Sequence, residues 1–304
     1  MKKIIVSKNG AGKRLDVFLA NETAATRSQI QKANTNGLIL INEKNKSDHY
    51  RLREGDRIEI REAEPEKPPK IRTEFSLDII YKNNDLVVIN KPSGIIVHPP
   101  REDFQGVTLT DLLTRRFPEI KTVGEKGRPG IVHRLDKEVS GLMIAARTEE
   151  AYDFLKNEFA AGGVKKIYTG LAHGRIAEER GEIKLKIARS ARGKRMAARP
   201  LSQAGKEALT LYRVKKRFTS YTLLEIEIKT GRTHQIRAHF YALGHAIAGD
   251  PLYRAKQPGK IVPDRIFLHS TRLGFNDLGR GWREFESHLP PDLEGFLKKL
   301  KPEK

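Results

Sequence analysis

The stretch IVHRLDKEVSGLMIAAR (residues 131–147) sets the terms for the whole chain. Its apolar run 142–146 reads as a buried strand, since a strand covered on both faces is apolar throughout rather than alternating. A second apolar pair, Ile131-Val132, precedes it, and between the two stand His133, Arg134, Asp136 and Lys137. A carboxylate at the edge of apolar strands is costly unless something pairs with it or employs it. His133, Arg134 and Lys137 are near in sequence, but neighbours along an extended segment cannot all face one side chain. Asp136 is therefore the first candidate for a functional acid, with an exposed turn and an incidental ion pair as the plain alternative.

Local signals extend outward from that strand. Thr148 can cap the helix of EEAYDFLKNEFAAGG, with acids in its first turn, Tyr152, Leu155 and Phe159 on one face, and Gly162 where it stops. Upstream, LDIIYKNNDLVVINKP gives two β-rich runs around an Asn-Asn-Asp turn. TLTDLLTRRF gives a helix with Thr108 and Asp111 in capping-box spacing. Downstream, strand patterns recur at KIYTGLAHG, EIKLKIA, ALTLYRV and YTLLEIEIKT. This is neither βαβ alternation nor an all-β array. The expected class is α+β: a small α/β module, then a larger domain with a large mixed, mainly antiparallel sheet flanked by helices.

AEPEKPPK (residues 63–70) combines three prolines with charge and reads as an extended linker. The expected division is a module over 12–62, a linker over 63–72 and a large domain over 73–296. The module reads as helix, helix, strand, strand: GKRLDVFLAN, TRSQIQKAN, LILIN and GDRIEI, with a turn at NEKN.

Composition narrows the partners. The 304 residues carry 58 Lys and Arg against 38 Asp and Glu, a net charge of +20. An excess of this size favours a polyanion, because neutralised phosphates release condensed counterions. There are no cysteines, so disulfides, thiolate metal sites and cysteine nucleophiles are excluded. No apolar run approaches the ~20 residues of a membrane span, and MKKIIVSKNG is too short in apolar residues for a signal peptide. A cytoplasmic location, a nucleic-acid partner, no membrane and no obligate protein partner are the expectations.

Two further constellations carry chemistry. In TGRTHQIRAHFYALGHAIAGDPLY (residues 230–253), Thr233 can cap a helix running to Leu243, with Gly244 as its stop and Ile236, Phe240 and Leu243 as the buried stripe. Arg237 lies beside that stripe, where its guanidinium could bind a carboxylate bidentately. The plain reading of Arg232, Arg237 and His239 is a basic helix touching phosphate. His234, His239 and His245 lack the i, i+4 spacing of paired metal ligands. In GGVKKIYTG, alternation puts Lys166 and Tyr168 on one face, suited to stacking on a base or to a core. KIARSARGKRMAARP (residues 186–200) holds six cations and no acid and reads as a basic loop or hairpin tip for RNA backbone. GAGKRLD lacks the glycine spacing and the Ser/Thr of a P-loop, so nucleotide binding there is rejected.

HRLDKEVSGL, KKIYTG, GRTHQIRAH and INKPSGIIVH together resemble the RluA-type family of RNA pseudouridine synthases. The N-terminal module resembles the S-four-like (alpha-L) RNA-binding domain through Arg14-Leu15-Asp16, Arg27-Ser28-Gln29, Gly37, Ile41-Asn42 and Gly55-Asp56. The chain departs from the family at Val139, where Thr is usual, and matches it loosely after Leu273. The resemblance covers roughly residues 12 to 290. It implies a cofactor-free and metal-free isomerase of uridines in structured RNA, above all large-subunit ribosomal RNA. It implies Asp136 as nucleophile, Arg237 as its catalytic partner, and Tyr168 stacked on the flipped base as a catalytic candidate for assisting proton transfer. Arg134 is implied to enter the space that base leaves. Arg232, Arg14, Arg27, Lys32, Lys194 and Arg195 are the remaining expected RNA contacts. The rivals are a non-catalytic RNA-binding protein on the same scaffold and a retaining glycosidase, whose second carboxylate would be Asp250 or Asp103.

Overall fold

Apolar residues at helical and strand spacing in the first 61 positions close a small core of their own. The computed structural model describes residues 2–23, 25–35, 37–61, 75–101, 103–190, 193, 195–255, 259 and 261–303, without the side chains of 2, 28 and 32. It divides into two compact units, Met1–Lys70 and Ile71–Lys304. Residues 62–74, and with them the expected linker, lie outside the described residues.

The first unit contains β1 (Lys2–Ile5), α1 (Leu15–Glu22), α2 (Arg27–Thr35), β2 (Ile39–Ile41) and β3 (Arg57–Ile60). Its antiparallel sheet has the order β1-β3-β2. Leu15, Phe18 and Leu19 of α1 share a core with Ile30, Ile39, Ile41 and Ile58. The helix, helix, strand, strand reading omitted β1, which opens the unit ten residues before position 12. Four residues carry too little periodicity to announce a strand, and β1 pairs with a partner more than fifty positions away.

The second unit begins with β4 (Asp78–Lys82), β5 (Leu86–Lys91), α3 (Leu109–Arg116), β6 (Ser140–Ala146), α4 (Glu149–Ala161) and β7 (Lys165–His173). It continues with β8 (Arg180–Lys184), β9 (Lys186–Arg189), β10 (Met196–Arg199), β11 (Leu209–Phe218) and β12 (Tyr221–Ile228). It closes with α5 (Gln235–Ala242), β13 (Leu268–Asp277), β14 (Gly281–Glu286) and α6 (Pro291–Lys298). The large sheet runs β4-β5-β6-β13-β7-β12-β11-β8, with β14 also on β13. Among the described residues only β6–β13 is parallel, so the sheet is mixed and mainly antiparallel, as expected.

Every residue of β6 is buried because helices cover both faces. Met143 and Ala145 join the core that holds α3 and α5 residues, whereas Leu142 and Ile144 join that of α4. The caps follow the local rules: Thr108 and Asp111 form a reciprocal capping box, Thr148 accepts from the Ala151 amide, and Gly162 ends α4 in the left-handed conformation. Gly141 is required by a close approach, since a Cβ there would lie 2.4 Å from the Ser270 carbonyl oxygen. EIKLKIA is two strands rather than one. Leu185 separates β8, which stays in the sheet, from β9, which leaves to form a hairpin with β10. Among the described residues no helix is long and apolar enough to cross a membrane.

Candidate active site

Asp136 opens the turn that feeds β6, its carbonyl accepting the Val139 amide at 3.1 Å, and the surrounding chain holds that turn from behind. The Lys91 ammonium is fully buried and donates to the carbonyls of Pro92 (2.9 Å), Ile95 (3.0 Å) and Lys137 (3.2 Å). The Gly94 amide also donates to Lys137 O, at 2.8 Å, and the Ser93 hydroxyl donates to Glu138 O, at 2.6 Å. Burial pushes the Lys91 amine down to about 7, opposed by the charges of Asp136 and Glu138. On the other side His133 accepts the Ile144 amide at 3.0 Å and stacks on Phe159, and burial pushes its imidazole down to about 3. His133 and Lys91 thus fasten the turn without facing Asp136, while the Asp136 side chain keeps 15 % exposure.

Helix α5 supplies the partner. Arg237 Nη1 donates to Asp136 Oδ2 at 2.9 Å across 101 residues. The expected bidentate grip exists, but on a different carboxylate: Arg237 Nε and Nη2 donate to Asp250 Oδ2 and Oδ1 at 2.7 and 2.8 Å. Asp250 is itself oriented by the amides of Leu252 (2.8 Å) and Tyr253 (3.0 Å). The Arg237 guanidinium lies over the Tyr253 ring, 5.2 Å from its centroid. Burial opposes the charge on Arg237, but the Asp250 hydrogen bonds and both carboxylate charges outweigh it and raise its pKa. A guanidinium held rigid by one carboxylate therefore offers its last good donor to another.

These groups open on a small cleft lined by Arg134, Asp136, Tyr168, Arg232, His234 and Arg237 among others. Tyr168 is buried on β7, and burial first, then the Asp136 charge, push its phenol up, with the Ser270 side chain opposing. Arg134 and Arg232 are at the rim; the former reaches His98 at 3.4 Å and the latter donates to Glu207 O at 3.1 Å. Lys166, expected on the face of Tyr168, instead sets its ammonium over the Phe159 ring at 5.4 Å and does not line the cleft. The register irregularity of β13 between Ser270 and Arg272 falls at this point of the pairing.

Three readings of the 230–253 stretch change. His234, not Thr233, precedes α5, in a left-handed conformation with φ 55°. The Gln235 side chain takes the Thr230 hydroxyl (2.7 Å) and the Arg232 amide (3.1 Å), which turns the chain before the helix begins. Leu243 is 43 % exposed, because α5 ends at Ala242 and the position falls off the buried stripe. His239 is no phosphate contact: it is fully buried between the Thr210 hydroxyl (2.9 Å) and Leu185 O (3.3 Å), and burial pushes it down to about 4.

The remaining expected RNA contacts are scattered. Arg195, at the start of β10, lies over the Tyr241 ring at 4.8 Å. Arg14 and Arg27 both bind Asp16 in the first unit yet keep 36 and 55 % side-chain exposure. Lys194 and the side chain of Lys32 lie outside the described residues. Among the described residues no group of three or more His, Asp and Glu is placed to hold a metal ion. Neither glycosidase partner fits a second catalytic carboxylate, since Asp250 has no side-chain exposure and Asp103 is an exposed partner of Arg101. Sequence reasoning missed Asp250, Tyr253, Lys91 and His234 as parts of the site. The turn signal Gly249-Asp250-Pro251 was the available pointer to the first.

An acid and a guanidinium facing each other beside a buried tyrosine, on this mixed sheet, define a class that sequence and structure comparison identifies. Residues 85–242 match the family described as RNA pseudouridylate synthase. The chain belongs to this family of isomerases, which convert uridine in RNA to pseudouridine. It is 34 % identical over 301 residues to the "uncharacterized RNA pseudouridine synthase YlyB" of Bacillus subtilis, covering 98 % of this chain and 97 % of that protein. It is 33 % identical to the "ribosomal large subunit pseudouridine synthase D" of Neisseria meningitidis serogroup A, covering 96 % of this chain and 80 % of that one. The solved structure "Human RNA Pseudouridylate Synthase Domain Containing 1" matches with a TM-score of 0.58 and 27 % identity, over 75 % of this chain and 89 % of that one.

Proposed function

We propose that the protein converts specific uridines of large-subunit ribosomal RNA to pseudouridine in the cytoplasm, with Asp136 as the nucleophile. The observation that carries this reading is the single bond from Arg237 to Asp136 Oδ2 in the cleft. Among the described residues no donor reaches Oδ1, which leaves one carboxylate oxygen for chemistry. Arg237 sets a positive charge beside the carboxylate and fixes its orientation towards the cleft.

A uridine in a stacked, paired strand hides its glycosidic bond, so it must be swung out, at a cost of a few kcal/mol. Arg134 at the rim enters the space that the base leaves, and Tyr168 stacks on the base inside. Asp136 attacks ribose C1′ while the bond from C1′ to N1 breaks, and uracil leaves with the electron pair. The freed uracil turns, and its C5 attacks C1′ as the bond to the Asp136 carboxylate breaks and frees the acid. Loss of the C5 proton and gain of one at N1 complete the isomerisation. No metal or organic cofactor is required for these steps.

Arg232 and the hairpin cations Lys194 and Arg195 follow the RNA backbone. Arg14, Arg27 and Lys32 of the S-four-like module add a second contact with RNA, and the chain at 63–72 links the two. The ribosomal substrate is supported by the relative from Neisseria, whose printed name carries that activity. The test is a map of pseudouridine across total RNA with and without the protein. Sites in large-subunit ribosomal RNA should vanish in its absence; loss confined to transfer RNA would refute the ribosomal assignment.

A further inference from the structure

Resting on that reading, the removal of the C5 proton needs a proton acceptor. After rejoining, C5 carries both ribose and its original hydrogen. The C5–H bond breaks, its electron pair returns to the ring as the C5=C6 double bond, and N1 gains a proton. Tyr168 is poorly suited to accept it, since its burial disfavours the phenolate.

The cleft contains another acid–base side chain. His234 has 21 % side-chain exposure, and its Nε2 stands 3.8 Å from Asp136 Oδ2. Its tautomer follows from counting protons on Tyr253. The Tyr253 hydroxyl donates its one proton to Met196 O at 2.8 Å and accepts the Met196 amide at 2.9 Å. With its proton on Met196 O, the shorter of its two possible acceptors, it accepts from His234 Nδ1, 3.2 Å away. The imidazole is held as the Nδ1–H form, and Nε2 is left with a bare lone pair on the side of Asp136. The left-handed backbone of His234 is a conformation that non-glycine residues keep where the surroundings impose it. Here Gln235 and Tyr253 impose it.

We propose that His234 takes the C5 proton on Nε2 and supplies the proton that N1 gains. The two transfers balance, so no other reactant is consumed. The surrounding groups suit a base that charges only transiently. Burial favours the neutral ring at rest; Asp136, Asp250 and Glu138 favour the imidazolium, and Arg237 opposes it. From the hairpin side Arg195 faces the ring of Tyr253, 5.8 Å from its centroid.

His234→Asn tests this in the full-length protein. Asn adopts the left-handed region readily, and its amide can still donate to Tyr253, but the second nitrogen is gone. With unmodified large-subunit ribosomal RNA deuterated at uracil C5, turnover should fall by about 10²-fold or more. The isotope effect on turnover should exceed that of the wild type, because C5–H cleavage becomes limiting. His234→Ala should regain part of its activity with added imidazole. A near-wild-type rate, or a slow variant with an unchanged isotope effect and no imidazole rescue, overturns the assignment. If the wild type itself forms no pseudouridine in this RNA, the ribosomal reading falls first and takes the assignment with it.

Discussion

Each unit of the protein surrounds one aspartate with guanidinium, and the two do it differently. In the first unit Asp16 has no side-chain exposure and is saturated. It accepts from Arg14 Nε and Nη2 (3.0 and 2.9 Å), Arg27 Nη2 (3.0 Å) and Gln31 Nε2 (2.8 Å). In the second, Asp136 takes one bond from an arginine whose other two nitrogens each donate to Asp250. Four donors on a carboxylate make a staple between helices. One donor, on a carboxylate open to a cleft, leaves the second oxygen available, which is what the proposed nucleophile needs. The number of donors, more than the presence of an ion pair, separates a structural acid from a reactive one.

The sharpest way to break this contrast is Asp136→Asn. Pseudouridine formation should fall by at least about 10³-fold, as for loss of a covalent nucleophile. The thermal midpoint should move little, because Asp250 still neutralises Arg237. Tritium release from C5-labelled RNA and a melting curve measure the two quantities; retained activity would remove Asp136 from the chemistry.

Asp250→Asn should reverse that pattern. It strips the buried guanidinium of its bidentate partner, and breaking a buried pair from one side costs about 3–5 kcal/mol. Denaturant unfolding should show that loss, with activity falling as Arg237 shifts towards Asp136. A variant as stable as wild type would mean that Asp250 is not the anchor.

The smallest effect belongs to Asp16→Asn, which should destabilise the first unit by about 1.5–3 kcal/mol and leave the chemical step unchanged on bound RNA. Its pH dependence has a defined sign. The Arg14 hydrogen bonds hold the Asp16 carboxyl well below the ordinary range; burial opposes, and Arg27 and Gln31 add to the lowering. A depressed folded-state pKa stabilises above the unfolded value of about 3.9 and loses that contribution as pH falls towards the folded one. The gap between wild type and variant, read by hydrogen exchange in α1 and α2, should be full at pH 6 and narrow below about pH 4.

Legibility in the sequence followed range. Thr108-x-x-Asp111, Thr148 and Gly162 were readable because a cap acts on amides and carbonyls within one turn. The α5 start was misread because a side chain, Gln235, captured the turn that Thr233 was expected to cap. Asp250 had a turn signal but no visible partner, since its partner is a helix residue whose own direction was unknown. Lys91 stood in a recognisable motif, yet its burial under three carbonyls could not be read from four letters.

By itself the sequence determined many of the local elements, the basic character and the motifs that resemble a family, because periodicity, caps and net charge are local or additive. Tertiary structure decided which carboxylate Arg237 grips with both arms, which keeps an oxygen for the cleft, and that His234 stands between Asp136 and Tyr253. Those outcomes depend on distances between chain positions brought together by the packing of β6, α5 and the loop after it. Hydrogen-bond valence is allotted only when that packing is complete.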